Sequence, residues 1–294
     1  MFWIGAEYGL AFTLVQLMQR LPLFLATRVA STTARSLDFA LPKLRRVAEK
    51  NLSFALPELN SEGRRRIIDG TFRSVGRLLL ALARAPRITA DNVHELISYE
   101  GLEHYQAAKE SGKGALVATA HLGNWELSAY THALMTEPMH VMVRPLDNPL
   151  IDALVERRRA LSGNFLIYKK DAARNVLKAL RNNCAVGILI DQNASAAEGV
   201  FVNFFGKPAS ANSAFVKFAY HSGAKVIPGF AFWNQAEQRY ILRFYPEIPM
   251  SGDVTEDTQR IHTFLERVIR QYPDQWMWIH RRWKTRPEGE PAIY

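Results

Sequence analysis

The sequence has very little cysteine, since Cys184 is the only one in 294 residues. One thiol cannot build a disulfide framework or a thiolate metal cluster. The eight histidines are scattered and lack the paired spacing of a zinc-binding helix. Internal repeats and low-complexity segments are absent as well. We therefore expect no metal ion, and we assign no cofactor.

The chain also lacks a long uncharged hydrophobic run. Its first 30 residues are apolar and aromatic, but the uncharged stretch Tyr8–Gln19 is shorter than the ~20 residues of a membrane span, and Arg20 follows it. No basic region precedes the stretch as in a signal peptide, because Glu7 is the first charge. Polar residues at helical spacing predict an amphipathic helix that lies in a membrane interface or packs on the protein body. A tilted span that tolerates Arg20 is a third alternative.

The chain has fewer acidic than basic residues. The chain has 37 lysines and arginines against 28 acidic residues, a formal net charge of +9. A basic surface predicts an acidic partner, such as nucleic acid, anionic lipid or an acidic carrier protein. The stretch Trp276–Lys284 interleaves aromatic and basic residues, which suits those partners; alternatively, its tryptophans pack on the body and its cations stay solvated. No nucleic-acid-binding motif is present, so nucleic acid is not the expected partner.

The pattern of the chain changes near residue 96. Before it, Leu41–Leu56 and Ser61–Ala85 are predicted helices. After it, short apolar runs alternate with helices, which is typical of a largely parallel sheet flanked by helices. We predict an α/β fold in three parts: an apolar membrane-associated helical segment (1–30), a helical region (31–95) and an α/β domain (96–294). As an alternative, residues 31–294 form one compact domain.

One predicted strand runs directly into polar residues. Ala115–Ala120 is an apolar run, His121 follows it without a spacer, and Trp125–Met135 is a predicted helix with Glu126 in its first turn. Ligands bind at this edge of open α/β sheets. A histidine with a nearby carboxylate suits general-base chemistry. Equally, Asn124 caps the helix, Glu126 favours the helix dipole, and His121 is an ordinary turn residue.

Two more polar residues end predicted strands. Asp191 directly follows Ala185–Ile190, as His121 follows its own strand, and Arg144 ends Val141–Val143. Polar residues at equivalent strand ends can converge on one site. The alternative for Asp191 is an Asx turn that starts the next loop.

Basic and aromatic stretches are available beside this edge. The predicted helix after the strand Val141–Val143 carries Arg157–Arg159. Consecutive side chains on a helix point in different directions, so one of these arginines can face the site while the others stay in water. The aromatic run Phe201–Gly206 is either an ordinary buried strand or the lining of a hydrocarbon channel. On local grounds we favour the buried strand.

The stretch His121–Glu126, His-Leu-Gly-Asn-Trp-Glu, resembles the His-x4-Asp/Glu signature of the lysophospholipid acyltransferase superfamily. More narrowly, it is similar to the bacterial lipid A late acyltransferases, which add secondary acyl chains to lipid A precursors. Supporting matches follow in the family's order: Val143–Leu150, Arg159, Asp191-Gln192, Val200–Ala209, Ile227-Pro228 and Trp278–Lys284. The chain departs from many lipid A enzymes in having Asp-Gln where they have Asp-His. Its His-Leu-Gly-Asn-Trp-Glu form is shared with acyltransferases of mycobacterial phosphatidylinositol mannosides and other glycolipids.

The resemblance implies transfer of a fatty acyl chain from an acyl carrier protein thioester to a hydroxyl of a lipid A precursor or related glycolipid, at the cytoplasmic face of the inner membrane. It implies His121 and Glu126 as the catalytic pair, with Arg159 and Asp191 as further catalytic positions. We expect Glu126 to orient His121, and Arg159 or backbone N–H groups near Gly123 to stabilise the oxyanion. Candidate substrate-binding residues are Asn124, Arg144, Phe201, Phe204, Phe205 and Arg281.

Other functions fit the same residues. The acceptor could be another glycolipid or phospholipid, or the enzyme could be a thioesterase whose histidine activates water. A basic membrane-binding or nucleic-acid-binding module is the alternative that is not an enzyme.

Overall fold

Helices make up the N-terminal part of the chain in the computed structural model, which describes residues 2–168 and 171–294. They are α1 (Phe2–Arg20), α2 (Leu23–Ala40), α3 (Pro42–Ala55), α4 (Ser61–Arg84) and the short α5 (Val93–Leu96). Pro42 lies in the first turn of α3, and the side chain of Asn60 accepts a hydrogen bond from the N–H of Gly63 at the start of α4. The helices predicted over 41–56 and 61–85 are confirmed, and α2 continues across the boundary predicted at residue 30.

Strands and helices alternate in the rest of the chain. In order they are β1 (Ile97–Glu100), α6 (Leu102–Glu110), β2 (Ala115–Thr119), α7 (Trp125–Met135), β3 (His140–Val143), α8 (Pro149–Ala160), β4 (Phe165–Tyr168), α9 (Ala172–Arg181), β5 (Ala185–Leu189), β6 (Gly199–Phe204), β7 (Lys207–Asn212), α10 (Ala214–Ser222), β8 (Lys225–Asn234), β9 (Arg239–Phe244) and α11 (Val254–Gln271).

Seven of these strands form one sheet in the order β1-β9-β8-β2-β5-β3-β4. Neighbouring strands are parallel except β8 and β9, which are joined by a tight turn and run antiparallel. The prediction of an α/β fold with a largely parallel sheet is therefore confirmed. The aromatic run at 201–206 belongs mainly to β6, which pairs with β7 in a separate antiparallel hairpin.

The central strand β2 is buried on both faces. Leu116 and Ala118 lie in one hydrophobic core with α9, α10 and α11, whereas Ala115 and Val117 lie in a second core with α6 and α7. This alternation follows from the two-residue period of a strand. The layers fix the carboxyl end of β2 between β8 and β5, where His121 begins the following loop.

Helix α1 packs on the protein body against α4 and α8. Met18 on this helix is buried, while Trp3, Leu10 and Leu17 are exposed. Arg158 of α8 joins the elements together, because its guanidinium donates to the carbonyl of Ala83 (2.9 Å) and to the side chain of Gln19 (2.9 Å). Among the described residues, no helix has the length and apolar character that crossing a membrane requires.

Candidate active site

The register of two neighbouring strands places His121 beside Asp191. Thr119 of β2 pairs with Leu189 of β5 in parallel, so the residues two positions further on leave the sheet at the same level. The N–H of Ile190 still donates to the carbonyl of Thr119 at 3.0 Å, which carries the pairing up to the last residue before the site. The sheet itself thus brings together these two strand-end residues.

The carboxylate of Asp191 binds His121 at two points. Oδ1 lies 2.8 Å from Nδ1 of the imidazole, and Oδ2 accepts from the backbone N–H of His121 at 3.0 Å. The indole Nε1 of Trp276 donates to Oδ2 at 2.8 Å. An ionised carboxylate only accepts hydrogen bonds, so Nδ1 of His121 carries a proton, and Nε2 is the ring nitrogen that the carboxylate leaves unbound.

Electrostatics keep Asp191 ionised although its side chain is only 3% exposed. Burial alone would raise the pKa of this carboxyl, but the charge of His121 and the hydrogen bonds from His121 and Trp276 hold the pKa well below its usual range. His280 lies in the same neighbourhood, and burial lowers its pKa to about 4. The site therefore holds a fixed negative charge behind His121 and an uncharged His280 at neutral pH.

Glu126 pairs with Arg159 and not with His121, so the predicted pairing is wrong in its partner. Nε of Arg159 lies 2.8 Å from Oε2 of Glu126, and Nη2 lies 2.5 Å from Oε1, a two-point ion pair. The physical reason is the start of α7: the ring of Trp125 faces His121 edge-on at 4.8 Å, and the next helical position points elsewhere, towards α8. Burial tends to lower the pKa of Arg159, but the bond and charge of Glu126 raise it overall.

In the turn between His121 and α7, the N–H groups of Gly123 and Asn124 donate hydrogen bonds to backbone carbonyls. Gly123 has φ of 67°, and a Cβ there would collide with the carbonyl of Ala231. Its N–H donates to the carbonyl of Gln275 (2.9 Å), and the N–H of Asn124 donates to that of Ala231 (2.9 Å). The N–H groups of Gly123 and Asn124 are therefore already bound and are not free to stabilise an oxyanion.

Three predicted substrate-binding residues have other partners. Asn124 is buried, accepts from the N–H of Leu127 (3.0 Å) and donates to the hydroxyl of Tyr240 (3.2 Å), so it acts as the helix cap. Arg144 is 84% exposed in its side chain and faces Asp147 at 3.9 Å. Arg281 is exposed as well, with its guanidinium 6.0 Å from the ring of Tyr294. The structure does not bring these three side chains onto His121.

The predicted phenylalanines divide between surface and core. Phe201 is 39% exposed, whereas Phe204 and Phe205 are buried. Both buried rings contact Trp276, at 5.8 and 6.3 Å between centroids. They therefore pack behind the indole that binds Asp191 and do not line an open channel.

The C-terminal stretch agrees only in part with the interpretation that its tryptophans pack on the body while its cations stay solvated. Its tryptophans Trp276, Trp278 and Trp283 are buried, as one alternative predicted. Arg282, however, is also fully buried, with Nη1 donating to the carbonyl of Ser210 (2.5 Å) and the guanidinium 5.3 Å from the Phe204 ring. Burial lowers the pKa of Arg282 to about 10.

The N-terminal helices hold this stretch in place. Thr71 of α4 donates to the carbonyl of Trp276 at 3.1 Å. The amide of Asn51 on α3 donates to the carbonyls of Trp278 (2.8 Å) and His280 (2.9 Å). A continuous path of contacts thus leads from α4 through Trp276 and Asp191 to His121.

Sequence reasoning missed two residues at the centre of the site. Trp276 was expected at a surface or in the core but not as a donor to Asp191, which lies 85 positions earlier in the chain. Gln192 has its amide nitrogen 3.3 Å from Nε2 of His121. Its position directly after Asp191 was the available signal. No group of three or more potential metal-ligating side chains occurs within residues 2–168 and 171–294.

Comparison with known proteins places the chain in a family. It matches the bacterial lipid A biosynthesis acyltransferase family over residues 3–285. It is 30% identical to the lipid A biosynthesis palmitoleoyltransferase of Escherichia coli K12, over 99% of this chain and 94% of that protein. It is 29% identical to the lipid A biosynthesis lauroyltransferase of the same organism, over 85% and 82% of the two chains.

A more distant relative is named for a different lipid. The phosphatidylinositol mannoside acyltransferase of Mycolicibacterium smegmatis is 24% identical over 74% of this chain and 72% of its own. The α/β sheet carries a histidine and an aspartate at adjacent strand ends, and the comparisons identify the class as acyl-transferring enzymes. The chain belongs to the bacterial lipid A biosynthesis acyltransferase family.

Proposed function

We propose that this enzyme moves a fatty acyl chain from an acyl carrier protein thioester to a hydroxyl of a lipid A precursor or related glycolipid, with His121 as the general base. The observation that carries the proposal is the orientation of His121. Its Nδ1 is bound to Asp191 at 2.8 Å, which leaves the basic Nε2 for a substrate hydroxyl at the carboxyl edge of the sheet.

The reaction needs only one proton carrier. Nε2 of His121 takes the hydroxyl proton while the oxygen forms a bond to the thioester carbonyl carbon. The tetrahedral intermediate then collapses, the C–S bond breaks, and the imidazolium returns the proton to the thiolate. Asp191 stabilises the transient imidazolium, and general-base catalysis of this type contributes about 10²–10⁴-fold in rate.

The pair of Glu126 and Arg159 has a separate role in this proposal. The tetrahedral intermediate carries a negative oxygen, and a fixed cation stabilises it. Glu126 holds Arg159 by two bonds, with side-chain exposures of only 15% and 20%. Glu126 therefore acts on the oxyanion through Arg159 and not on the base.

The donor protein is acidic in this proposal, so it needs a basic surface to dock on. Arg157 and Arg158 precede Arg159 on α8. Arg158 is buried and bound to the end of α4, so it is not available for docking. Arg157 is exposed on the same helix as Arg159, which favours it as a docking residue.

The acceptor class requires access to a bilayer. On α1, Trp3, Leu10 and Leu17 follow each other at seven-residue intervals and are exposed by 78%, 66% and 43%. This apolar stripe suits a helix that lies in the membrane interface. We place the enzyme as a peripheral protein on the cytoplasmic face of the inner membrane, attached through α1.

The test is to incubate the purified protein with palmitoyl-chain thioesters of acyl carrier protein and of coenzyme A, together with a lipid A precursor or a phosphatidylinositol mannoside. Tandem mass spectrometry identifies the product and the acylated hydroxyl. We expect an acylated lipid A precursor made from the carrier thioester, and loss of product in His121→Gln. Free fatty acid released without any acceptor would instead identify a thioesterase.

A further inference from the structure

Gln192 occupies the position on His121 that a substrate hydroxyl needs. Its side-chain nitrogen lies 3.3 Å from Nε2 of the imidazole, and the residue is exposed at the open side of the site. In the neutral imidazole that donates its Nδ1 proton to Asp191, Nε2 offers only a lone pair, and only a donor can bind there. The amide of Gln192 is such a donor.

We propose that Gln192 is a positioning residue: its uncharged N–H donor keeps Nε2 of His121 as a hydrogen-bond acceptor in the free protein, and the substrate hydroxyl replaces the Gln192 amide there. The first half of this inference concerns the free protein. The second half rests on the proposed acyl transfer to a hydroxyl.

The surroundings of His121 make an uncharged group at this position important. Asp191, after β5, already supplies one full negative charge on the Nδ1 side. His280, from the C-terminal segment, has its pKa lowered to about 4 by burial and is uncharged at neutral pH. From α7, Trp125 contributes a neutral ring, and Glu126 is bound to Arg159.

A carboxylate in place of the Gln192 amide would change which form of His121 is favoured. It cannot donate to a lone pair, so it would bind Nε2 only when that nitrogen carries a proton. With a carboxylate on each ring nitrogen, the imidazolium would be the favoured form and the base would already be occupied. A second carboxylate at this range would stabilise the charged form of the imidazole.

The experiment compares Gln192→Glu with Gln192→Met, which keeps the side-chain length without hydrogen bonding. At pH 7 we expect Gln192→Glu to lower kcat/KM at least about 10-fold, with recovery as the pH is raised. Gln192→Met should lose less than about 5-fold without moving the pH profile. Gln235→Glu is the matched control, because Gln235 is exposed at the β8–β9 turn and its side-chain oxygen only accepts, from Trp233 at 3.0 Å.

A second measurement is independent of activity. In protein labelled with ¹⁵N-histidine, with the His121 signals assigned by their loss in His121→Gln, the wild type at pH 7 should have a proton on Nδ1 alone. Gln192→Glu should have protons on both nitrogens. This result would support the inference even if no acceptor were acylated, so failure of the proposed function remains distinguishable.

Two outcomes would overturn the inference. One is a Gln192→Glu variant with wild-type activity at pH 7 and wild-type ¹⁵N signals. The other is equal loss in both Gln192 variants at every pH, which would mean that the side chain only supports the local structure.

Discussion

Glu126 holds Arg159 through two hydrogen bonds, although its sequence position five residues after His121 suggested the histidine as its partner. His121 is hydrogen-bonded instead to Asp191, which lies 70 positions later in the chain. The site therefore contains two separate charge pairs. In the proposed mechanism, one pair acts on the proton and the other on the negative oxygen of the intermediate.

This separation is testable with a double-mutant cycle. Glu126→Gln and Arg159→Lys should each lower kcat about 10- to 100-fold, because the cation loses its fixed geometry. The kcat of the double variant should lie within about threefold of the kcat of the less active single variant, because both substitutions break the same interaction. Steady-state kinetics checks this. Additive losses in the double variant would mean that the two residues act independently.

Stability should fall as the pH drops from 6.5 to 4. His262 and His280 have pKa values lowered to about 4 by burial, so they stay neutral in the folded protein while they gain protons in the unfolded chain below about pH 6.5. Each can lower the free energy of unfolding by up to about 1.4 kcal/mol per pH unit in this window. Urea unfolding at several pH values measures the slope, and His280→Gln should make it shallower. The same slope in wild type and variant would contradict this explanation.

Asp191 adds a further loss of stability at lower pH. Its folded-state pKa is depressed, so its contribution is present above the unfolded-state value of about 4 and is lost as the pH falls below it. The two effects are separable because they occupy different pH windows.

Docking of an acidic carrier on α8 should depend on salt. Arg157→Ala should raise the KM for the acyl carrier thioester several-fold at low salt and flatten its salt dependence, because one exposed cation facing the partner is removed. Lys178→Ala on α9 removes an equal, exposed charge elsewhere and serves as the control. Equal effects of the two variants would mean that overall charge, and not this helix, attracts the carrier.

Membrane attachment through α1 should depend on its apolar stripe. Replacing both Leu10 and Leu17 by serine should weaken binding to phosphatidylglycerol-containing vesicles about tenfold or more, since two large apolar side chains no longer enter the interface. Leu161→Ser, at an exposed leucine after α8, is the matched control. Unchanged flotation of the double variant with vesicles would place the membrane contact elsewhere.

The secondary-structure elements, and the convergence of the two strand ends that carry His121 and Asp191, could be predicted from the sequence. Alternating apolar runs and helices predicted the sheet, and the equivalent positions of His121 and Asp191 after their strands indicated a shared site. Local spacing could not predict the partners of Glu126, because the direction of a side chain in the first turn of α7 depends on how that helix packs against α8. The Trp276 contact depends on how distant segments fold together, and Thr71 of α4 is part of that arrangement.

The kcat of Asp191→Asn most directly tests whether His121 is a base held by Asp191. An asparagine can present its amide to Nδ1 and so favour the wrong imidazole tautomer, and it cannot balance the imidazolium charge. Asp147→Asn is the control, because that carboxylate is fully exposed. We expect Asp191→Asn to lose about 10²–10⁴-fold in acyl transfer while circular dichroism shows that the fold is retained. A folded Asp191→Asn variant within a few-fold of wild-type kcat would contradict His121 as a base held by Asp191.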